Sequence, residues 1–137
     1  KHYKGEIIMS KRIVSAILCL ALVVALAVPA FAATTLYSRI NAGYRITGTA
    51  TISGTTARST MTASEVSGTP LKPLEEYSNS SIYIVAYNKS GKWLGTASNS
   101  GYPTLTASYY SNGDSVGKIE VRHVFNYTTY GTYTVNA

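Results

Sequence analysis

The sequence predicts an all-β fold, an antiparallel β-sandwich of about seven short strands, with a small β-barrel as the alternative and a signal-peptide helix ahead of it. Three observations carry this expectation. Apolar and polar residues alternate one by one through most of the chain after residue 43. Turn residues punctuate that alternation at roughly every 8–12 positions. Thr and Tyr, which suit a pleated half-buried surface, replace the Ala, Leu, Glu and Lys of helices.

The N-terminal part has a different pattern. Lys11-Arg12 precedes an unbroken apolar run from Ile13 to Val28, followed by Pro29-Ala30-Phe31-Ala32-Ala33. A basic start, an apolar middle and an A-x-A exit are the marks of a secretory signal peptide. Residues 9–32 are therefore expected to be a signal, with Ala30, Ala32 and Ala33 forming the cleavage site and cutting after Ala32. A retained anchor would need about 20 apolar residues, more than this run supplies. Cys19 follows Leu18, where a lipoprotein signal needs a small residue. Met9 stands just before the basic pair, so residues 1–8 are expected to be a mis-annotated leader. A single secreted all-β domain is then expected over residues 33–137.

The strands follow in order. Tyr44, Ile46, Gly48, Ala50 and Ile52 share one parity and Arg45, Thr47, Thr49 and Thr51 the other, a half-buried strand ending at Ser53-Gly54. Residues 57–64 repeat the pattern, with Ala57, Met61 and Ala63 facing in. Residues 65–81 form the longest loop, with a short turn at Leu74–Tyr77. Ile82–Tyr87 is apolar on both parities and is predicted to be a central strand. Asn88-Lys89-Ser90-Gly91 turns it into a partner over Lys92–Ala97. Pro103–Tyr110, residues 116–125 and a last strand carrying Tyr133 and Val135 complete the set. Gly48–Gly54 also echoes Gly95–Gly101, and each is followed by a similar segment; chance similarity in a chain rich in Ser, Thr, Ala and Gly is the simpler reading, and a true repeat would put equivalent strand pairs in the two halves of the fold.

Catalytic chemistry is sparse after the signal. Removal of residues 1–32 takes away Lys1, Lys4, Lys11, Arg12 and Glu6, so the net charge falls from +6 to +3. The remaining basic residues do not cluster, so no nucleic-acid footprint is expected. The single cysteine, Cys19, leaves with the signal, so no disulfide staples the domain. His123 and Asp114 are then the only histidine and aspartate. They fall at opposite ends of one strand, about nine steps of about 3.3 Å apart, far beyond hydrogen-bond reach. His123 has inward parity and reads as a structural histidine; a site residue is the other reading. Glu75-Glu76 reads as a solvated loop pair. No metal-ligand spacing and no phosphate loop occur, so neither a metal nor a cofactor is expected, and the protein is expected not to be an enzyme.

What is abundant is aromatic surface. Tyr110 and Tyr130 fall on the outward parity with threonines, while Tyr44, Tyr109 and Tyr133 face inward. Exposed tyrosines can stack on sugars or dock a protein, so Tyr110 and Tyr130 are the candidate ligand surface; good strand formers at half-buried positions are the simpler alternative.

Residues 82–137 resemble a group of small exported Ser/Thr/Tyr-rich all-β proteins of Gram-positive bacteria. The resemblance rests on Asn88-Lys89-Ser90-Gly91-Lys92, Arg122-His123-Val124 and Tyr130-Gly131-Thr132. It implies export and an all-β fold, and implies no activity. Trp93 and the pair Tyr109-Tyr110 are similar to elements of lactococcin-type β-sandwich bacteriocins, although the order of elements differs. The expected function is a non-catalytic, secreted or non-covalently surface-associated binding module for wall polymer, glycan or another protein. A secreted antibacterial protein is the alternative. Membrane contact is expected only through the uncleaved signal, and flat Thr-rich edges leave self-association open.

Overall fold

Alternation decides the layers. The computed structural model describes residues 33–137, which form eight strands and one short 3-10 turn. The signal segment, the translation start, Ala30 and Ala32 lie outside the described residues; Ala33 is exposed. The strands are β1 (Thr34–Asn41), β2 (Tyr44–Ser53), β3 (Thr56–Glu65), β4 (Ser80–Asn88), β5 (Trp93–Gly101), β6 (Leu105–Tyr110), β7 (Val116–Phe125) and β8 (Thr128–Asn136). All ladders are antiparallel. One sheet has the order β1-β2-β3-β6 and the other β5-β4-β7-β8. These are two open sheets rather than a closed barrel, and they pack with β1 and β2 over β8 and β7, and β6 over β5 and β4.

The strand count exceeds the sequence expectation by one, because β1 carries little alternation. A bulge at Leu36 breaks its register, and Tyr37 is its one buried residue. The other seven strands fall where periodicity places them, and β4 is central, between β5 and β7. The echo between Gly48–Gly54 and Gly95–Gly101 does not yield equivalent strand pairs: β2 and β3 are ladder neighbours, whereas β5 and β6 lie in different sheets.

The inner faces interdigitate into one core. Ile46, Ala57 and Met61 from the first sheet meet Ile82, Ile84, Ile119, Val121 and Phe125 from the second. Fully burying each such isoleucine stabilises the fold by about 1.5–3 kcal/mol. Turn chemistry fixes the registers. Ala42 and Gly43 have φ of 53° and 83°, and Asn126 and Tyr127 have 48° and 60°, the two-residue turns with both φ positive that match strand twist. The Asn88 carboxamide oxygen accepts from the backbone N–H groups of Ser90 at 3.0 Å and Lys92 at 2.9 Å, closing the β4–β5 turn.

The long loop closes one end of the sandwich. Its Tyr77 is buried, 5.9 Å from the Tyr44 ring and 5.3 Å from the Phe125 ring, centroid to centroid. Tyr44 donates to the Lys72 carbonyl at 2.8 Å, and Val66 N–H donates to the Gly43 carbonyl at 2.9 Å. Among the described residues no helix is long and apolar enough to cross a membrane.

Candidate functional site

Two polar features sit on this scaffold: a hydrogen-bonded chain inside the core, and an aromatic face outside the second sheet.

The chain begins with Tyr37 on β1, whose hydroxyl lies 2.6 Å from His123 Nδ1 on β7. The other ring nitrogen, Nε2, lies 2.8 Å from Ser59 Oγ on β3. Ser59 Oγ donates to the Thr49 carbonyl at 2.8 Å. That last bond sets the direction of all the others. Ser59 has one proton and gives it to Thr49, so His123 Nε2–H must donate to Ser59, and Nδ1 must accept from Tyr37 O–H. The ring is neutral, and burial pushes its pKa from 6.5 down to about 4. Burial also raises the Tyr37 phenol well above its ordinary value, with the Tyr130 and Tyr133 phenols adding to the effect.

Gly48 makes this chain possible. A Cβ there would overlap the Tyr37 ring and come within 2.9 Å of His123 Nδ1. No buried side-chain nitrogen or oxygen among the described residues lacks a partner. The arrangement holds serine, histidine and a third polar group, yet its polarity is opposite to that of a nucleophile. Histidine donates to Ser59 rather than accepting from it, and both side chains have 0% exposure. Asp114 lies before β7, at the other end of that strand from His123. Among the described residues no three His, Cys, Asp or Glu side chains gather as metal ligands would.

Tyr110 and Tyr130 are not brought together. Tyr110 ends β6 at one lateral edge of the first sheet and is 67% exposed. Tyr130 lies on β8 at the far lateral edge of the second sheet. Nor does Tyr130 face outward as strict alternation predicts. Opposite His123, β8 carries two residues, Tyr130 and Gly131, for one on β7, and Gly131 has φ 88°. This bulge resets parity. Tyr130 turns in, 4.8 Å from the Tyr37 ring, and its hydroxyl accepts from Asn41 Nδ2 at 3.0 Å. Burial raises its pKa. Tyr130 is thus packing around the chain, and no contiguous aromatic face joins it to Tyr110.

An aromatic row does form elsewhere. Tyr83 and Tyr87 project from the outer face of β4, two steps of one parity apart, or about 13 Å along the strand. Trp93 on β5 is the direct ladder partner of Tyr87 and is 59% exposed. Beside this row, β7 supplies Lys118, Glu120 and Arg122. Lys118 Nζ sits 4.4 Å from the Tyr87 ring centroid, and the Arg122 guanidinium 5.7 Å from that of Tyr83. Lys118 and Glu120 pair at 3.9 Å, and the Tyr87 hydroxyl donates to Glu120 at 3.4 Å. Desolvation, then the Glu120 charge and hydrogen bond, raise the Tyr87 pKa. Tyr83, Val85, Glu120, Arg122 and Thr132 enclose a shallow depression of about 170 Å³.

Sequence reading missed Tyr37 and Ser59 in the chain, and Tyr83, Tyr87 and Trp93 on the face. The signal for the face was present: Tyr83, Val85 and Tyr87 share the parity opposite to Ile82, Ile84 and Ala86. Comparison with known proteins returned no match, whether with family models, curated proteins or solved structures.

Proposed function

We propose that this is a non-catalytic, exported β-sandwich protein that binds wall polymer or glycan through the outer face of the β5-β4-β7-β8 sheet. The observation that carries the reading is the row Trp93, Tyr87 and Tyr83 on rigid strands, flanked by Lys118, Glu120 and Arg122. Aromatic rings supply apolar area that matches the C–H faces of sugars. The flanking cations, carboxylate and Thr132 hydroxyl supply directional hydrogen bonds to sugar hydroxyls. A site on strands is held more firmly than one on loops, which reduces the ordering cost of a ligand with many weak contacts.

The non-catalytic part of the proposal is supported by the committed protons of the buried chain. Ser59 and His123 have no exposed surface from which to reach a substrate. Export is supported by the basic, apolar and A-x-A order of residues 11–33.

The test is co-sedimentation of the purified protein with purified Gram-positive cell wall. The wild-type protein is expected in the pellet; Trp93→Ala and Tyr83→Ala are expected to need several-fold more wall to sediment, while Tyr110→Ala behaves as wild type. Equal sedimentation of all four proteins would exclude the proposed face.

A further inference from the structure

One lateral side of the sandwich is closed and the other is open. On the closed side Asn99 caps both edge strands. Its carboxamide oxygen accepts from the Ser100 N–H of β5 at 2.9 Å, and its Nδ2 donates to the Thr106 carbonyl of β6 at 3.0 Å. On the other side β1 carries the bulge at Leu36 and the charge of Arg39, devices that keep an edge from pairing. The end of β8 has neither. Thr128–Asn136 holds no charged residue and no proline, and its bulge lies at Tyr130-Gly131, before Thr132. Asn41 reaches the Tyr130 hydroxyl, and the Tyr37 ring packs on Tyr130 and Tyr133. These contacts between β1 and β8 use inward side chains and leave the backbone edge of β8 open.

The phase of the β7–β8 ladder identifies the backbone groups on that edge. Ala137 N–H donates to the Gly117 carbonyl at 2.9 Å, so Val135 and Tyr133, at alternate positions, also bond to β7. The N–H and C=O groups of Thr132, Thr134 and Asn136 therefore point away from β7, and no backbone hydrogen bond from a turn or loop reaches them. All three residues are exposed. This row is self-complementary. A second copy turned about a two-fold axis at Thr134 sets Thr134 against Thr134 of the partner subunit and Thr132 against Asn136 of the partner subunit. Each such pair exchanges two N–H···O=C bonds, and any other antiparallel register of the row leaves some of these groups unpaired. The paired strands bring no charge against a like charge, and threonine opposite threonine is a favourable cross-strand pair.

We propose that β8 pairs antiparallel with β8 of a second copy, so that two β5-β4-β7-β8 sheets join into one continuous sheet across a two-fold axis. The shared edge is short, which makes this a weak, concentration-dependent dimer. It puts the Trp93, Tyr87 and Tyr83 rows of both copies on one face, with the two β4 strands about 24 Å apart at about 4.8 Å per strand. A polymer of repeating units can span both rows and gain from bivalent contact, and this consequence alone rests on the glycan reading.

Sedimentation velocity of the purified protein from about 10 µM to about 1 mM, with amide hydrogen exchange at both ends of that range, tests the pairing. The sedimentation coefficient is expected to rise toward that of a dimer. Exchange at Thr132, Thr134 and Asn136 is expected to slow several-fold at the higher concentration, while Ser98, on the outer edge of β5, is unchanged. Thr134→Pro removes an outward N–H that β7 does not use, and Thr134→Lys sets two like charges at the axis. Both are expected to stay monomeric with the shift dispersion of the fold intact, whereas Ser98→Lys and Trp93→Ala dimerise as wild type. A dimer that forms normally in Trp93→Ala separates this inference from the glycan-binding face. A wild-type protein that is monomeric throughout the range, slowed exchange at Ser98 instead of β8, or protection of β8 that appears only when wall fragments are added would overturn the proposal.

Discussion

The Tyr37 hydroxyl donates to His123 Nδ1 across 2.6 Å, and the two rings meet edge to face at 84° with centroids 5.4 Å apart. This contact joins β1 of one sheet to β7 of the other through an otherwise apolar core. With Ser59 it fixes both nitrogens of a ring that burial keeps neutral well below the ordinary histidine range.

Acid should therefore loosen the sandwich. The His123 pKa is lowered from 6.5 to about 4 in the folded protein, so between those values the unfolded chain binds a proton that the native state excludes. This contribution is complete above pH 6.5, declines as pH falls, and is gone near pH 4. It amounts to about 3 kcal/mol, a sizeable share of a small domain's stability. Urea unfolding at pH 7.5, 5.5 and 4 should show the midpoint falling, and His123→Leu should remove the part of that slope lying above the carboxylate range. An unchanged slope in His123→Leu would contradict the neutral-ring assignment.

Each hydroxyl of the chain should matter separately. Tyr37→Phe leaves His123 Nδ1 without a donor, and Ser59→Ala strands His123 Nε2–H and removes one donor from the Thr49 carbonyl. Each is expected to cost about 1–3 kcal/mol, the penalty of stranding a buried polar group. The double variant should cost less than the sum, since both act through one ring. Chemical denaturation of the four proteins in the cycle measures this.

Gly48 and Gly95 are expected to resist substitution by alanine for a shared reason. A Cβ at Gly48 meets the Tyr37 ring and His123, and one at Gly95 would stand 2.7 Å from a Tyr109 ring carbon. Gly48→Ala has no slack, because Tyr37 is hydrogen-bonded in place, and should cost about 1–3 kcal/mol by overpacking. Tyr109 is partly exposed and can swing aside, so Gly95→Ala should cost less. Thermal unfolding ranks the two.

On the outer face, Trp93→Ala should weaken glycan binding by about tenfold, the order expected when one exposed aromatic anchor is lost. Arg122→Ala should weaken it less. Titration calorimetry with soluble wall fragments measures both, and folding should be unaffected because neither side chain is buried.

Much of the sheet architecture was legible because strands such as β2 and β7 alternate almost residue by residue, and alternation reports which face is covered. The failures occur where the backbone inserts a residue. At Leu36 a bulge hid β1, and with it Tyr37. At Tyr130-Gly131 a bulge reversed the parity that puts Tyr130 outside. The first bulge uses ordinary residues and changes only their count, whereas Gly131, an isolated glycine inside a strand with φ 88°, was the one available sign of the second. Ser59 carried no visible signal: a serine on the inward parity of β3 looks like noise until His123 stands opposite. The Tyr83, Tyr87 and Trp93 row was obscured differently. The apolar run of β4 reads as buried on both faces, and Trp93 faces the same side as Tyr87 through a β4–β5 register irregularity.

Trp93 is the only tryptophan in the chain, so its fluorescence reports directly on the proposed face. Titrating the protein with soluble peptidoglycan fragments should shift its emission to shorter wavelength along a saturable curve, with Tyr83→Ala needing several-fold more ligand. Emission that stays fixed while the fragments demonstrably bind would place the ligand elsewhere on the molecule and contradict the assignment of this face.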